Sequence, residues 1–246
     1  MIVSVKRVAA GFFSLTPPAP ANDDGSYLRW HLLDHMPEQY SIPGIVQGMR
    51  WIADGDYPQH RIAGNGDLAD IGNAVCYLMA DPVQPTYERF MDLGAELREA
   101  GRFPEVRPSL QTRLLALDAC HAAPAALVSA EVLPWRPHRG VLLVIEEPND
   151  DETAWHNWLT AEHHPTLLDV PGVAGVWSFH STDRWTVRAN CAGPAQRITV
   201  VFLDDDPLIA TGAIAGLIEQ RWESRTVRPL FAGPMRTMID WEAWEK

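Results

Sequence analysis

The sequence predicts an α+β fold built from two tandem βαββαβ units whose sheets pack together into one barrel. Three observations predict it. The first is a repeat within the 246 residues: WHLLDHMPEQYSIPG, from Trp30 to Gly44, aligns without a gap on WLTAEHHPTLLDVPG, from Trp158 to Gly172. Trp30 falls on Trp158, Asp34 on Glu162, His35 on His163, Pro37 on Pro165, and Pro43-Gly44 on Pro171-Gly172. The second is that the repeat continues downstream. CYLMADP (Cys76 to Pro82) falls on VFLDDDP (Val201 to Pro207), and Val106-Arg107-Pro108 on Val227-Arg228-Pro229. The third is the order of apolar periodicities in each copy, strand-helix-strand-strand-helix-strand, which is the ferredoxin-like split arrangement. Its two helices cover one sheet face only, so the other face of each copy needs the other sheet.

The elements follow in order. First strands are expected at Val3 to Phe13 and Gly140 to Glu147, so the apolar start is read as a strand and not as a leader. Acidic and polar residues come next: Asp23, Asp24 and Ser26 in one copy, Asp150, Asp151 and Thr153 in the other. Such side chains accept hydrogen bonds from the unpaired amides of a helix start. Each first helix ends before Pro-Gly, and second strands run from Ile45 to Ala53 and Val173 to Ser181. Third strands are expected at Ala74 to Ala80 and Ile198 to Asp204 after a segment rich in Gly, Asp and Asn. Second helices span Pro85 to Gly101 and Pro207 to Glu223, and fourth strands Ser109 to Asp118 and Leu230 to Ile239. Residues 1–120 and 139–246 form the halves. An Ala- and Pro-rich linker, 121–138, joins them and contributes an extra strand near Ala126 to Leu133.

Composition bounds the function. A formal net charge of −12 argues against a nucleic-acid or anionic-membrane partner, and no apolar run reaches the roughly 20 residues that span a bilayer. Cys76, Cys120 and Cys191 are widely spaced and odd in number, as expected of thiols in a reducing, cytoplasmic setting. No Walker loop, dinucleotide fingerprint or GxSxG elbow is present, so no cofactor is expected, and a small-molecule substrate is the expected partner of a monomer or homodimer.

The run Tyr27-x2-Trp30-x3-Asp34-His35-x-Pro37-x5-Pro43-Gly44 resembles the EthD-like branch of the dimeric α/β barrel superfamily, and the second copy repeats most of it. The resemblance implies an intramolecular version of that barrel. The superfamily includes muconolactone isomerases, polyketide cyclases, quinol-forming monooxygenases and haem enzymes such as chlorite dismutases, so the fold does not fix the reaction.

His35 and His163 are the first catalytic candidates, because imidazole titrates near neutrality and can move a proton on a carbonyl or enol substrate. The competing reading is that both fix the helix-to-strand corner. His31 lies four residues before His35, on the same helix face. HxxxH can hold a metal, but Leu32 stands where HExxH has Glu, Leu159 replaces His31 in the second copy, and no third ligand is at hand, so no metal is expected. Arg50, Tyr77 and Arg113 are polar groups in apolar strands, placed to stabilise an oxyanion or, alternatively, to reach solvent at the rim. Trp30, His31, Trp51, Trp158, His164 and Trp177 are the expected substrate-binding walls. Together with the resemblance, these residues give the expectation of a cofactor-independent lyase, isomerase or cyclase acting on a small cyclic, aromatic or polyketide-like substrate. The alternatives are an oxygenase or haem enzyme on the same barrel, or a non-catalytic binding protein.

Overall fold

Alternation of apolar side chains along each strand gives the sheet two apolar faces, and the topology buries both. The computed structural model describes residues 8–18, 25–103, 107–148, 152–225 and 227–238. The expected strand residues before Val8, the cap positions Asp23, Asp24, Asp150 and Asp151, and Ile239 lie outside them. The first half contributes β1 (Val8–Thr16), β2 (Ile45–Ile52), β3 (Ala63–Gly64), β4 (Asn73–Ala80) and β5 (Gln111–Ala122). The second contributes β6 (Gly140–Glu147), β7 (Val173–His180), β8 (Arg197–Leu203) and β9 (Arg228–Thr237). Lateral order is β2-β4-β1-β5 in one half and β7-β8-β6-β9 in the other, the same split arrangement twice. Antiparallel seams β5–β7 and β2–β9 join the halves, so eight strands close into a barrel and β3 adds to the outside of β9. The tandem ferredoxin-like α+β barrel expected from the repeat is what forms.

One face of each long strand fills the barrel. Phe13, Met49, Trp51, Cys76, Leu143, Trp177, Phe179, Val200 and Phe202 are buried there together. Phe13 meets Phe179 edge-on at 5.1 Å, and the polar ends of the indoles are satisfied: Trp51 Nε1 donates to His138 Nε2 at 3.0 Å, and Trp177 Nε1 to the Ala130 carbonyl at 2.8 Å. Ala130 belongs to the linker, where the expected strand at 126–133 does not form. Two 3-10 turns, Pro124–Ala126 and Ala130–Trp135, occupy the segment instead. The reason is local packing. Leu133 sits over Gly175, where an added Cβ would stand 2.2 Å from its methyl group, and the carbonyl that caps Trp177 is presented by a turn.

The outer face carries α1 (Gly25–Trp30), α2 (Met36–Gln39) and α3 (Val83–Glu99) in the first half. The second half has α4 (Glu152–Trp158), α5 (His164–Leu168) and α6 (Pro207–Arg225). A π-turn joins α1 to α2 at His31–His35 and α4 to α5 at Leu159–His163. Proline explains both. Pro37 and Pro165 have no N–H to donate, and each ring crowds the carbonyl four residues back. The wider turn displaces that carbonyl, and the amides of Met36 and His164 donate to His31 and Leu159, five residues back.

Equivalent backbone bonds fix the correspondence between halves. The Ala80 amide donates to the Gly44 carbonyl at 2.9 Å, and the Asp204 amide to the Gly172 carbonyl at 2.8 Å. Ala80 therefore matches Asp204, and the expected pairing of Cys76 with Val201 is one residue out. Cys76 matches Val200, both facing the barrel interior, and Tyr77 matches Val201, both facing the helices. The second copy has one extra residue before Pro207, which hid the shift. In a strand, a one-residue slip exchanges the faces.

Each half also reaches over the other. The β2–β4 connection, 53–72, crosses to the second half, where the Ile62 amide donates to Ala232 O at 2.8 Å and Ile62 packs on the core under α6. The β7–β8 connection, 181–196, returns over the first half. Its Thr186 amide donates to Gln84 Oε1 at 2.8 Å, its Arg188 amide donates to the Tyr87 hydroxyl at 3.0 Å, and Thr112 Oγ1 donates to Asn190 O at 2.8 Å. Among the described residues, no helix is long and apolar enough to cross a membrane.

Trp51→Ala tests the barrel core. It removes a fully buried indole and strands the His138 nitrogen, so urea unfolding should show a loss of about 3–5 kcal/mol. A loss within experimental error of zero would mean that Trp51 does not pack as described.

Candidate functional site

Side-chain size decides which half keeps an open space between helices and sheet. In the first half the helix-facing positions of β1 include Ser14 and Thr16, and α3 passes over them with Gly94. At the matching positions the second half has Val144, Glu146 and Ile218, all buried. A Cβ added at Gly94 would meet nothing within 4 Å, which leaves a cavity of 390 Å³. That lies within the range of small-molecule sites, about 300–1,000 Å³. Aromatic rings of Phe12, Tyr27, Trp30, Phe90 and Phe103 make its walls, and His31, His35 and Tyr77 supply polar atoms. Arg98, Arg107 and Arg188 also line it.

The π-turn aims the two imidazoles into this space. Their ring centres are 5.4 Å apart, and His31 Nε2 is 3.5 Å from the Tyr77 hydroxyl. His35 lies flat on Trp30 at 5.0 Å with Phe103 edge-on at 4.9 Å, while Trp30 Nε1 donates to Arg102 O at 2.9 Å. Burial, reinforced by the Arg50 charge, pushes His31 well below its usual range. Burial also brings His35 down to about 4, against the opposing pull of Asp34. Both are neutral at pH 7. Burial raises the Tyr77 phenol, so it stays protonated and can donate.

The second half repeats the stacking beside a smaller space. His163 lies on Trp158 at 5.1 Å, and burial with the Arg221 charge lowers it to about 3. A cavity of 330 Å³ lies against Trp158, His163, Gln220 and Arg221. Its depth is closed by a fully buried ion pair, Arg221–Glu146, with Trp222 Nε1 donating to Glu146 at 2.6 Å and Arg221 lying 5.2 Å from the Trp155 ring centre.

The predicted residues thus fall into five places. His31, His35, Tyr77 and Trp30 converge on the first cavity, and Trp158 and His163 line the second. His164 is wholly buried, 5.2 Å from the His121 ring, and lines neither cavity. Arg50 faces the helices, as alternation requires, but stands behind Tyr27, at 4.9 Å from that ring, and donates to Asn73 Oδ1 at 3.0 Å. Three expectations do not hold. Trp51 and Trp177 point into the barrel and line neither cavity, since they alternate with the helix-facing residues. Arg113 pairs in register with Phe13 on the barrel side of β5, and its guanidinium donates to Cys191 O at 3.4 Å, so it does not join Tyr77. Sequence reasoning missed Gly94, Phe103, Arg107 and Arg188. Arg107 stacks on Tyr27 at 4.1 Å, and its place in the repeated Val-Arg-Pro was a usable signal.

No protein-family model matches the chain, and no curated protein matches it. Solved structures do. One assigned as a chlorite dismutase shares 11% identity over 97% of this chain and 98% of its own, with a TM-score of 0.57. An anthrone oxidase-like protein shares 12% over 96% and 93%, TM-score 0.54. A protein assigned as a monooxygenase from Fusobacterium nucleatum subsp. nucleatum shares 7% over 95% and 94%, TM-score 0.53. The chain has the dimeric α/β barrel fold.

The expected cofactor-independent lyase, isomerase or cyclase chemistry is corrected by these findings. The structures that share this barrel are named for dismutation, oxidation and monooxygenation. A haem, which the resemblance to that superfamily's haem enzymes would imply, does not fit the residues present. A ligating imidazole ordinarily donates its second nitrogen to a partner, yet the buried Nδ1 atoms of His31 and His35 have none among the described residues. In the second half, Arg221, Glu146 and Ile218 fill the space between α6 and the sheet.

Two outcomes check this site. Gly94→Leu, which places the bulk of Ile218 in the first cavity, should keep or raise stability by up to about 1 kcal/mol while abolishing calorimetric binding of a bicyclic phenol. Undiminished binding would mean the phenol sits elsewhere. The histidines should also make stability depend on acid. His35 titrates near 6.5 unfolded and about 4 folded, so the unfolded chain binds more protons between those values. Stability is then full above pH 6.5 and declines as pH falls towards 4, by roughly 3 kcal/mol from His35 alone. His35→Gln should flatten the urea midpoint against pH over that window, and an unchanged slope would contradict a buried neutral His35.

Proposed function

We propose that the protein is an oxygenase that inserts one atom of dioxygen into an electron-rich aromatic substrate, of quinol or anthrone type, bound in the first-half cavity. The observation that carries the reading is the pairing of a flat aromatic slot with a protonated Tyr77 and a neutral His31 at its polar end. The names of the anthrone oxidase-like and monooxygenase neighbours support it, and the Trp30-to-Gly44 motif supports a place in the EthD-like branch. The 1–120 half would hold the substrate, 121–138 would link, and 139–246 would supply the roof.

The residues divide the work as follows. Trp30, Phe90 and Phe103 stack the ring and exclude water. Tyr77 donates to the ring oxygen, and His31 accepts the acidic proton of the enol or phenol, whose anion is favoured by the charge of Arg50, which bears on both residues. The anion is the reductant and dioxygen the oxidant. At the methylene of an anthrone two C–H bonds break and a C=O forms; on a quinol one ring C–H and two O–H bonds break while one C–OH and two C=O form, and in both the second oxygen atom leaves as water. His35 backs His31 and is held against Trp30.

An oxygen electrode with anthrone and hydroquinone substrates tests this. Oxygen uptake should match product, and labelled dioxygen should place one label in the new carbonyl. Tyr77→Phe should slow turnover by about 10²-fold while leaving binding near wild type. The rate should be level near neutrality and fall as pH drops through about 4, where His35 protonates and adds a charge beside His31. Product formation without oxygen uptake would overturn the assignment.

A further inference from the structure

We infer that the substrate of the first-half cavity carries a carboxylate, seated at the arginine end of the slot; the inference rests on the reading that this cavity is the substrate site. The chain as a whole is strongly acidic, at a net charge of −12, yet the described residues lining this cavity include three arginines and no Asp or Glu. The three come from separate elements. Arg98 lies in the last turn of α3, Arg107 lies just before β5, and Arg188 belongs to the arm that crosses from the second half. Their positions are held by packing: Arg98 is 5.3 Å from the Phe103 ring centre, Arg107 is 4.1 Å from that of Tyr27, and the Arg188 amide is bonded to the Tyr87 hydroxyl. Arg188 also pairs with Asp92 on α3, which fixes its side chain beside the cavity. Ser109 and Thr112 add hydroxyls to the same lining.

A planar guanidinium suits a planar carboxylate through paired, charge-assisted hydrogen bonds. Tyr77 stands on β4 and His31 in the π-turn, elements that carry none of the three arginines, so an acid group held by the arginines would leave the ring's oxygen to them. The second half lacks the arrangement. Arg228, the counterpart of Arg107 in the repeated Val-Arg-Pro, is exposed and engaged with Glu147 at 2.6 Å. The arginines therefore distinguish the open cavity from the closed one, as Gly94 does.

Calorimetric titration of the intact protein with 2-naphthoate and with the isosteric 2-naphthamide tests the inference without requiring turnover. The carboxylate should bind at least about tenfold more tightly, with a preference that shrinks as salt rises. Arg107→Gln should remove most of that preference and leave the amide's affinity within about twofold. Arg188→Gln, at an exposed position on the arm, gives the same test should Arg107→Gln fail to fold, and should lower the preference at least threefold. Equal affinity for the two ligands, binding of neither, or a preference untouched by the substitutions would overturn the inference. A preference for the carboxylate in a protein that consumes no oxygen with carboxylated quinols would uphold the substrate class and remove the oxygenase reading.

Discussion

The structure depends on one constraint: each half has a sheet with two apolar faces and helices for only one. Phe13, Trp51, Trp177 and Phe202 sit on the face the helices do not reach, and water is excluded from them only when the second sheet closes over the first. Barrel closure is thus the condition on which each half keeps its strands. It also explains why the helix side is free to vary. Once the barrel interior holds the sheets together, space under the helices can be opened in one half at modest cost.

The two halves use that freedom differently. In the second, Val144, Glu146, Ile218 and Arg221 fill the region under α6, and the buried Arg221–Glu146 pair bonds further to Thr199 and Trp222. In the first, Ser14, Thr16 and Gly94 leave it open, and the rings that would have met a filled core become the walls of a site. The stacked Trp–His pair recurs in both, at 5.0 Å in one and 5.1 Å in the other. Its recurrence marks a shared corner, set by the proline-driven π-turn, that in the first half also lines the larger cavity.

Much of this was legible in the sequence because repetition and alternation are local properties. The strand-helix order, the helix-to-turn motif and the placement of His31 and His35 on one helix face all follow from spacing. What was not legible depends on register and on what is missing. The extra residue before Pro207 made Cys76 match the wrong face of the second copy. Trp51, Trp177 and Arg113 looked like cleft residues because nothing in their local pattern tells the barrel side from the helix side. Gly94 carries no chemistry of its own and matters only by its absence of side chain. The turns at Pro124–Ala126 and Ala130–Trp135 replace an expected strand because long-range contacts with Gly175 and Trp177 outweigh local propensity.

The crossing arms carry a consequence for how such a chain can change over generations. The connection 181–196 belongs to the half whose own cavity is closed, yet it supplies Arg188 and Asn190 to the open one. In a symmetric assembly of two identical chains, every site would be roofed by the neighbour, and a substitution would strike both sites at once. Joining the copies into one polypeptide breaks that coupling: residues under α6 can be replaced without altering those under α3. It does not release the second half as a whole, because its arm remains part of the first half's site. Selection on the open cavity therefore reaches across the duplication, holding the arm of the closed half to a task while letting that half's interior drift.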